Sequence, residues 1–492
     1  MAELRVLSAL RIEGYAVGGE VLLSGMGPDK AQRAPVRHGE RLAGEVAVAV
    51  AGVSGGLDPT LRPGDVVVAT ELRCTDGRAV RPIPSAALVA ADLAATGLVV
   101  RAGPIVSSPT FVPAEGRAAL GASGALAVDM ESAWFGEALD SVPLSVVRTI
   151  ADTTRANIVT GGPRALASLM RIRPTLERWA RATGPRQVLL AAPRSFCAGV
   201  ERAIEIVERA LDRYGAPVFV RRQIVHNAHV VAGLEARGAV FVEELDEVPD
   251  HATVVIAAHG VSPEVRSQAA ARDGISVIDA TCPLVAKVHH EARRFASQGR
   301  QIVLIGHAEH EEVVGTMGEA PDGIHLVEGP DDVERLAFPP DQPVAYLTQT
   351  TLATDETAEV VSALRARFPA IVGPSADDIC YATQNRQDAV RALASDCDLV
   401  LVVGSANSSN TARLVEVAQR EGCRAELIED AGELRLGWLF GAGTIGLTAG
   451  ASAPDLLVHE VLNALSTLGP VEVTERRVTQ ETVRFALPPQ VR

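Results

Sequence analysis

Residues 187–211 read QVLLAAPRSFCAGVERAIEIVERAL. An apolar run enters a cramped turn of proline, small polar residues and one cysteine, and an amphipathic stretch leaves it. The same unit of apolar strand, turn and helix returns in TVVIAAHGVSPEVRSQAAAR, QIVLIGHAEHEEVVGTMG, LVLVVGSANSSNTARLVEVAQREG and TIGLTAGASAPDLLVHEVLNAL. Strands alternating with helices of this length predict parallel sheets built from βαβ units. In such sheets ligands bind beyond the carboxyl ends of the strands, so the polar residues of these turns are expected to converge. The recurrence suggests repeated subdomains of one architecture, too loosely alike for a solenoid.

Upstream, from Val6 to about Thr160, short strands alternate with Gly-rich turns and Ala-rich helical segments. EVAVAVAG, DVVVATEL and LSVVRTIAD are the clearest strands. RALASLMRIRPTLERWARATGPRQ reads as one helix closed by Gly184 and Pro185. The expected organisation is therefore a first domain over 1–183, a second over 184–470 and a tail over 471–492. The charged tail is expected to be an edge strand or a mobile end.

Composition excludes several classes of function. At 492 residues and 47% hydrophobic content the chain can build two or more cores. A net charge of -15 with 3% aromatic residues leaves no broad basic surface with stacking rings, so nucleic acid is not an expected partner. Glu3, Arg5, Arg11 and Glu13 interrupt the amino terminus, which lacks a secretory apolar core. No run is long enough to span a bilayer, and a soluble cytoplasmic protein without a membrane partner is expected. Six cysteines without short paired spacings do not make a disulfide framework, which leaves cofactor ligation or plain burial.

Three of the cysteines stand just ahead of predicted helices: Cys197 in PRSFCAGVERA, Cys282 in VIDATCPLVAKVHHEARRF and Cys380 in DDICYATQNRQDAVRAL. Unpaired N–H groups and the positive dipole end of a helix lower a thiol's pKa toward thiolate, the form that binds soft metal. Their separations are far from the spacings of zinc ribbons or ferredoxins, so only tertiary folding could unite them. Spacing alone leaves both a converging ligand set and three small buried side chains open. Cys74, Cys397 and Cys423 read as filler.

From about Gln187 to Leu468 the wording PRSFCAGVERAIEIVE, VHNAHVV, AHGVSPEVR, DATCPLVAKVH, GHAEHEEVVGTMG, TQTTL, DDICYATQNRQ, GSANSSN and TAGASAPD resembles the 4-hydroxy-3-methylbut-2-enyl diphosphate reductases. These enzymes close the methylerythritol phosphate route to isoprenoids. The resemblance implies three similar α/β subdomains around a central [4Fe-4S] cluster held by Cys197, Cys282 and Cys380. One iron then lacks a protein ligand and can accept the substrate's hydroxyl. The implied substrate is an allylic diphosphate, and the implied electron donor a reduced flavodoxin or ferredoxin. His226, His259, His310, Ser408, Ser409, Asn410 and Ser452 match the substrate-contacting positions. Each Ser or Asn taken singly reads as an ordinary helix cap. Glu312 matches the proton donor, with Thr350 as its partner on the substrate hydroxyl, and burial would keep such a carboxyl protonatable.

Residues 1 to about 165 are similar to the nucleoside phosphorylase and nucleosidase superfamily through LLSGMGPDKA, AGVSGGLDPTLRPGDVVVATEL and AVDMESAW. The first of these looks like the Gly turn after an initial hairpin. The likeness implies a phosphorylase-like α/β domain. Glu131 beside Met130 would grip the ribose hydroxyls, Asp152 would protonate the purine, and Glu13 would be the acid of the first loop. Phe111, Trp134 and Phe135 are the aromatic residues that remain for stacking, and clear phosphate-binding arginines are missing. Two rival readings stay open: a purine nucleosidase as the main activity, and three thiolates holding a structural zinc.

Overall fold

The computed structural model describes residues 2–42, 44–139, 142–339 and 341–492. The chain divides into two compact units. The first comprises Met1–Gln187 with Ala431–Gly443 and Glu460–Glu472; the second comprises Val188–Asp430, Thr444–His459 and Val473–Arg492. The first unit is thus discontinuous in sequence. Its helix Arg173–Ala182 packs against the 3-10 turn Leu436–Leu439, which draws that later segment in.

An eight-stranded sheet organises the first unit. Val46–Gly56 and Leu144–Asp152 run parallel, and Leu144–Asp152 also pairs antiparallel with Val66–Cys74. Val100–Ser107 and the short strand Ala127–Asp129 continue from there back to Val46–Gly56, so these five strands close a ring. Glu3–Ser8 and Val21–Leu23 extend it as parallel neighbours on either side of the helix Arg11–Val17. The first strands are therefore a βαβ unit rather than a hairpin, and Glu13 lies in that helix rather than in a loop. The single helix expected after residue 160 is two, Ile158–Leu169 and Arg173–Ala182. Pro174 causes the break: lacking an N–H, it is tolerated in the first turn of a new helix but not in the interior of a continuing one.

The second unit holds three sheets. Ala239–Val242, Val218–Arg221, Thr253–Ile256 and Ser276–Asp279 form one in that order, all parallel. Ile324–Val327, Gln301–Ile305 and Val344–Thr348 form the second, also parallel. Ala425–Ile428, Leu399–Val403, Thr444–Ala449, Arg186–Ala192 and Val471–Arg477 form the third. Leu399–Val403 is buried at every position, as expected where helices cover both faces of a parallel sheet.

The tail takes one of its two expected states and departs from the other. Val471–Arg477 is an edge strand of the third sheet. The residues beyond it are tied down rather than loose. Val491 is buried in the core around the helix Ala198–Tyr214, and Tyr214 donates to the Gln490 carbonyl at 2.9 Å.

Candidate active site

Each of the three turn cysteines occupies the N-cap of the helix that follows it: Cys197 for Ala198–Tyr214, Cys282 for Pro283–Ser297 and Cys380 for Tyr381–Ala394. Their turns reach one cavity in the second unit, and all three side chains line it. Gly199 shows how closely they gather. A Cβ there would sit 2.9 Å from Cys282 Sγ and 3.7 Å from Cys197 Sγ, so only a residue without a side chain fits between them.

Cys282 and Cys380 do not have the acidity their helix positions suggested. The N–H groups of Leu284 and Val285 pull Cys282 down, yet burial outweighs them and pushes it up to about 12. Burial likewise raises Cys380 to about 11, with Cys197 adding to the rise. A helix terminus contributes up to about 1 kcal/mol in ordinary settings, whereas full burial shifts a group by up to about 3–5 pKa units. The thiolate form here needs a cationic centre beside it.

This donor set fits an iron–sulfur cluster better than a lone ion. Three thiolates on one tetrahedral zinc must approach to about 3.8 Å of one another, given Zn–S bonds of about 2.3 Å. Among the described residues no three His, Cys, Asp or Glu side chains close on a point in that way. Three sulfurs spread around one cavity suit separate metal atoms of a cluster.

Opposite in chemistry are three imidazoles. His226 and His259 stack with centroids 4.2 Å apart, and His310 stands edge-on to both at 5.8 Å. Burial, reinforced by His259, lowers His226 to about 3 and His310 to about 4, so both are neutral near pH 7. His310 caps the helix Glu311–Met317 by accepting the Glu312 N–H at Nδ1, 3.2 Å away. That assignment leaves Nε2 as the ring's donor. Glu311 lies 3.5 Å from His259 Nδ1 and 3.7 Å from Arg222, too far for strong hydrogen bonds.

Glu312 is the acid that enters the cavity, and its neighbours do other things: Glu311 faces His259 and Arg222, and Glu309 is exposed. Glu312 Oε1 accepts the Thr350 backbone N–H at 2.7 Å, and its Oε2 is 2.9 Å from Thr350 Oγ1. Burial raises its pKa to about 7 against the pull of those two hydrogen bonds.

The polar wall comes from two more turns. Ser408 is the N-cap of Ser409–Arg420, as the plain capping interpretation holds, and it also lines the cavity. Ser452 Oγ donates to the His226 carbonyl at 3.0 Å and lies 3.4 Å from Ser408 Oγ. Asn410 accepts the Ala451 N–H at 2.9 Å, and Ser409 accepts from Thr351 Oγ1 at 3.1 Å. Thr351 and Thr383 were not singled out from sequence. Thr383 Oγ1 lies 3.0 Å from Cys380 Sγ, and its place three residues into the Cys380 helix was the available signal.

In the first unit Glu13, Met130, Glu131 and Asp152 line a cavity of their own, with Phe111. Phe135 is instead buried in the core. Glu13 accepts the N–H groups of Leu10 and Val53, each at 2.8 Å. Arg148 is buried and pairs with Asp129 at 2.8 Å and Glu131 at 3.5 Å; burial still raises Glu131 to about 7. Buried Arg117 pairs with Asp152 at 2.6 Å. Both arginines, unassigned from sequence, are thus engaged by carboxylates.

Residues 188–466 match the model of the family described as LytB protein, and residues 10–158 match that of the phosphorylase superfamily. The chain is 58% identical over 308 residues to the 4-hydroxy-3-methylbut-2-enyl diphosphate reductase of Cutibacterium acnes, covering 62% of this chain and 95% of that protein. It is 58% identical over 315 residues to 4-hydroxy-3-methylbut-2-enyl diphosphate reductase 2 of Mycobacterium bovis, covering 63% and 95%. Among solved structures it is similar to the E-1-hydroxy-2-methyl-but-2-enyl-4-diphosphate reductase of Plasmodium falciparum, at 38% identity and a TM-score of 0.60. That match covers 63% of this chain and 97% of the other.

Proposed function

The chain belongs to the LytB protein family, and on that premise we propose that its second unit reduces 4-hydroxy-3-methylbut-2-enyl diphosphate to isopentenyl and dimethylallyl diphosphate. The reaction removes the allylic hydroxyl as water, consuming two electrons and two protons. One observation carries this reading: three thiols, a protonatable acid with its hydroxyl partner, three imidazoles and a Ser/Asn wall line a single cavity.

Cys197, Cys282 and Cys380 would hold a [4Fe-4S] cluster, which when bound supplies the electrons and a Lewis-acidic iron without a protein ligand. The remaining steps belong to the protein's own groups. His226, neutral near pH 7, and His259 donate N–H groups to the diphosphate, and Ser408, Ser409, Asn410 and Ser452 add hydroxyl and amide donors. The amide end of Ser409–Arg420 favours the same anion, which matters in a protein of net charge -15. His310 reaches the substrate with Nε2. Glu312, protonated near neutral pH, delivers its proton to the departing hydroxyl through Thr350 Oγ1.

Electrons would come from a reduced flavodoxin or ferredoxin. We place the protein in the cytoplasm, where thiols stay reduced; its six cysteines are all unpaired. No helix among the described residues is long and apolar enough to cross a membrane. For the first unit we propose a nucleoside-binding cavity, with Glu131 on the ribose hydroxyls beside Met130 and with Glu13 and Asp152 toward the base.

Anaerobic turnover of the full chain with the allylic diphosphate and a chemical reductant tests the reading. Both five-carbon diphosphates are expected as products. A cluster-loaded protein that leaves the substrate intact overturns it.

A further inference from the structure

Arg386 lies two turns into the Cys380 helix and is fully buried. Its Nε and Nη2 donate to the Ser195 carbonyl at 3.1 and 2.7 Å, and Nη2 also reaches the Phe196 carbonyl at 3.2 Å. Those two carbonyls immediately precede Cys197. One guanidinium therefore joins the helix that carries Cys380 to the turn that carries Cys197. The joined turn is otherwise uncomfortable, since Ser195 adopts a left-handed φ of 59° that a non-glycine residue seldom holds unaided.

A buried guanidinium needs a counter-charge, and the carboxy-terminal arm brings it. Arg386 Nη1 donates to Glu481 Oε1 at 3.0 Å, and Asn385, one residue earlier, donates to the same oxygen at 3.0 Å. Glu481 comes from a distant part of the sequence, 95 residues beyond Arg386. The arm is fastened further along: Arg202 donates to the Ala486 carbonyl at 2.8 Å. A fastened arm can hold one carboxylate at a fixed place beside the cysteines.

We propose that buried Arg386 and partly buried Glu481 form a charge pair that positions Cys197 against Cys380 and sets the electrostatic balance felt by the cluster these cysteines hold. The inference rests on the cluster-ligand reading of the three cysteines. Neither Arg386 nor Glu481 lines the cavity, so they are positioning residues. Positive charge near an iron–sulfur centre favours its reduced, more negative state, and Glu481 opposes that bias. The arm would thereby hold the potential lower than Arg386 alone would set it.

The test uses the full chain, purified without oxygen, and begins with wild-type protein. Absence of a cluster there defeats the ligand reading itself, before any variant is made. With the cluster present, Glu481→Gln keeps an acceptor for Arg386 and Asn385 and removes only the charge. Its cluster is expected at wild-type content with a midpoint potential shifted to more positive values, and Glu481→Asp is expected to restore the wild-type value. A Glu481→Gln potential equal to wild type overturns the charge role. Arg386→Lys keeps the charge and loses the planar fork on Ser195 and Phe196. It is expected to bleach in air several-fold faster than wild type, and an unchanged bleaching rate overturns the positioning role.

Discussion

Glu312 concentrates the chemistry at the residue scale. Its ordinary pKa of 4.5 is raised to about 7 by burial, so the proton we propose it gives is present below that pH and lost above it. Turnover should fall as pH rises through about 7, and the falling limb of kcat should disappear in Glu312→Gln along with most of the rate, on the order of 10²-fold or more. Cluster absorbance should be unchanged in that variant. A Glu312→Gln enzyme with wild-type kcat would take the proton delivery away from this residue. The choice of Glu312 over Glu309 and Glu311 was legible only through the wording of GHAEHEEVVGTMG. Burial made the distinction physical, and burial is a property of the fold that three neighbouring acids in a sequence do not reveal. The thiols teach the same lesson in reverse: their helix N-cap places were readable, but the rise of Cys282 to about 12 was not, because desolvation is set by residues brought in from elsewhere.

Among the elements, the alternation of apolar strands and helices was plain along the second unit, and turn polarity located the cavity at the strand ends. Gly199 in the first turn of Ala198–Tyr214 shows what periodicity leaves out. In a helix an alanine there should stabilise by about 0.5–1 kcal/mol. Its methyl, however, would fall 2.9 Å from Cys282 Sγ. Gly199→Ala is therefore expected to leave thermal stability of the metal-free chain equal or slightly higher while lowering iron content markedly. Undiminished iron would mean that the sulfurs need not gather around this glycine. Two features escaped the pattern altogether. Pro174 splits an apparent helix whose apolar spacing runs through the break, and the bond from Glu481 to Arg386 spans 95 residues with no local signal.

For the whole molecule, the parallel three-sheet design of the second unit followed from repeated βαβ units. The closed ring of the first did not, because Leu144–Asp152 pairs with two strands far earlier in the chain. The first unit also stores a pH dependence. Glu131 has its folded pKa raised to about 7 from 4.5, so the native state binds more protons than the unfolded one between those values. Its contribution to stability is fully present below about 4.5 and is lost as pH rises through about 7. Relative to wild type, Glu131→Gln should gain thermal stability between pH 5 and 8, read in paired melting curves. A stability difference that does not vary with pH would contradict this.

Iron and sulfide content, with the visible spectrum, of anaerobically purified wild-type chain and its Cys282→Ser variant tests the central claim most directly. The account predicts a brown, air-bleached wild type with about four irons per chain and a variant that has lost this absorbance. A colourless wild type, or a Cys282→Ser protein with full iron and an unchanged spectrum, would contradict it.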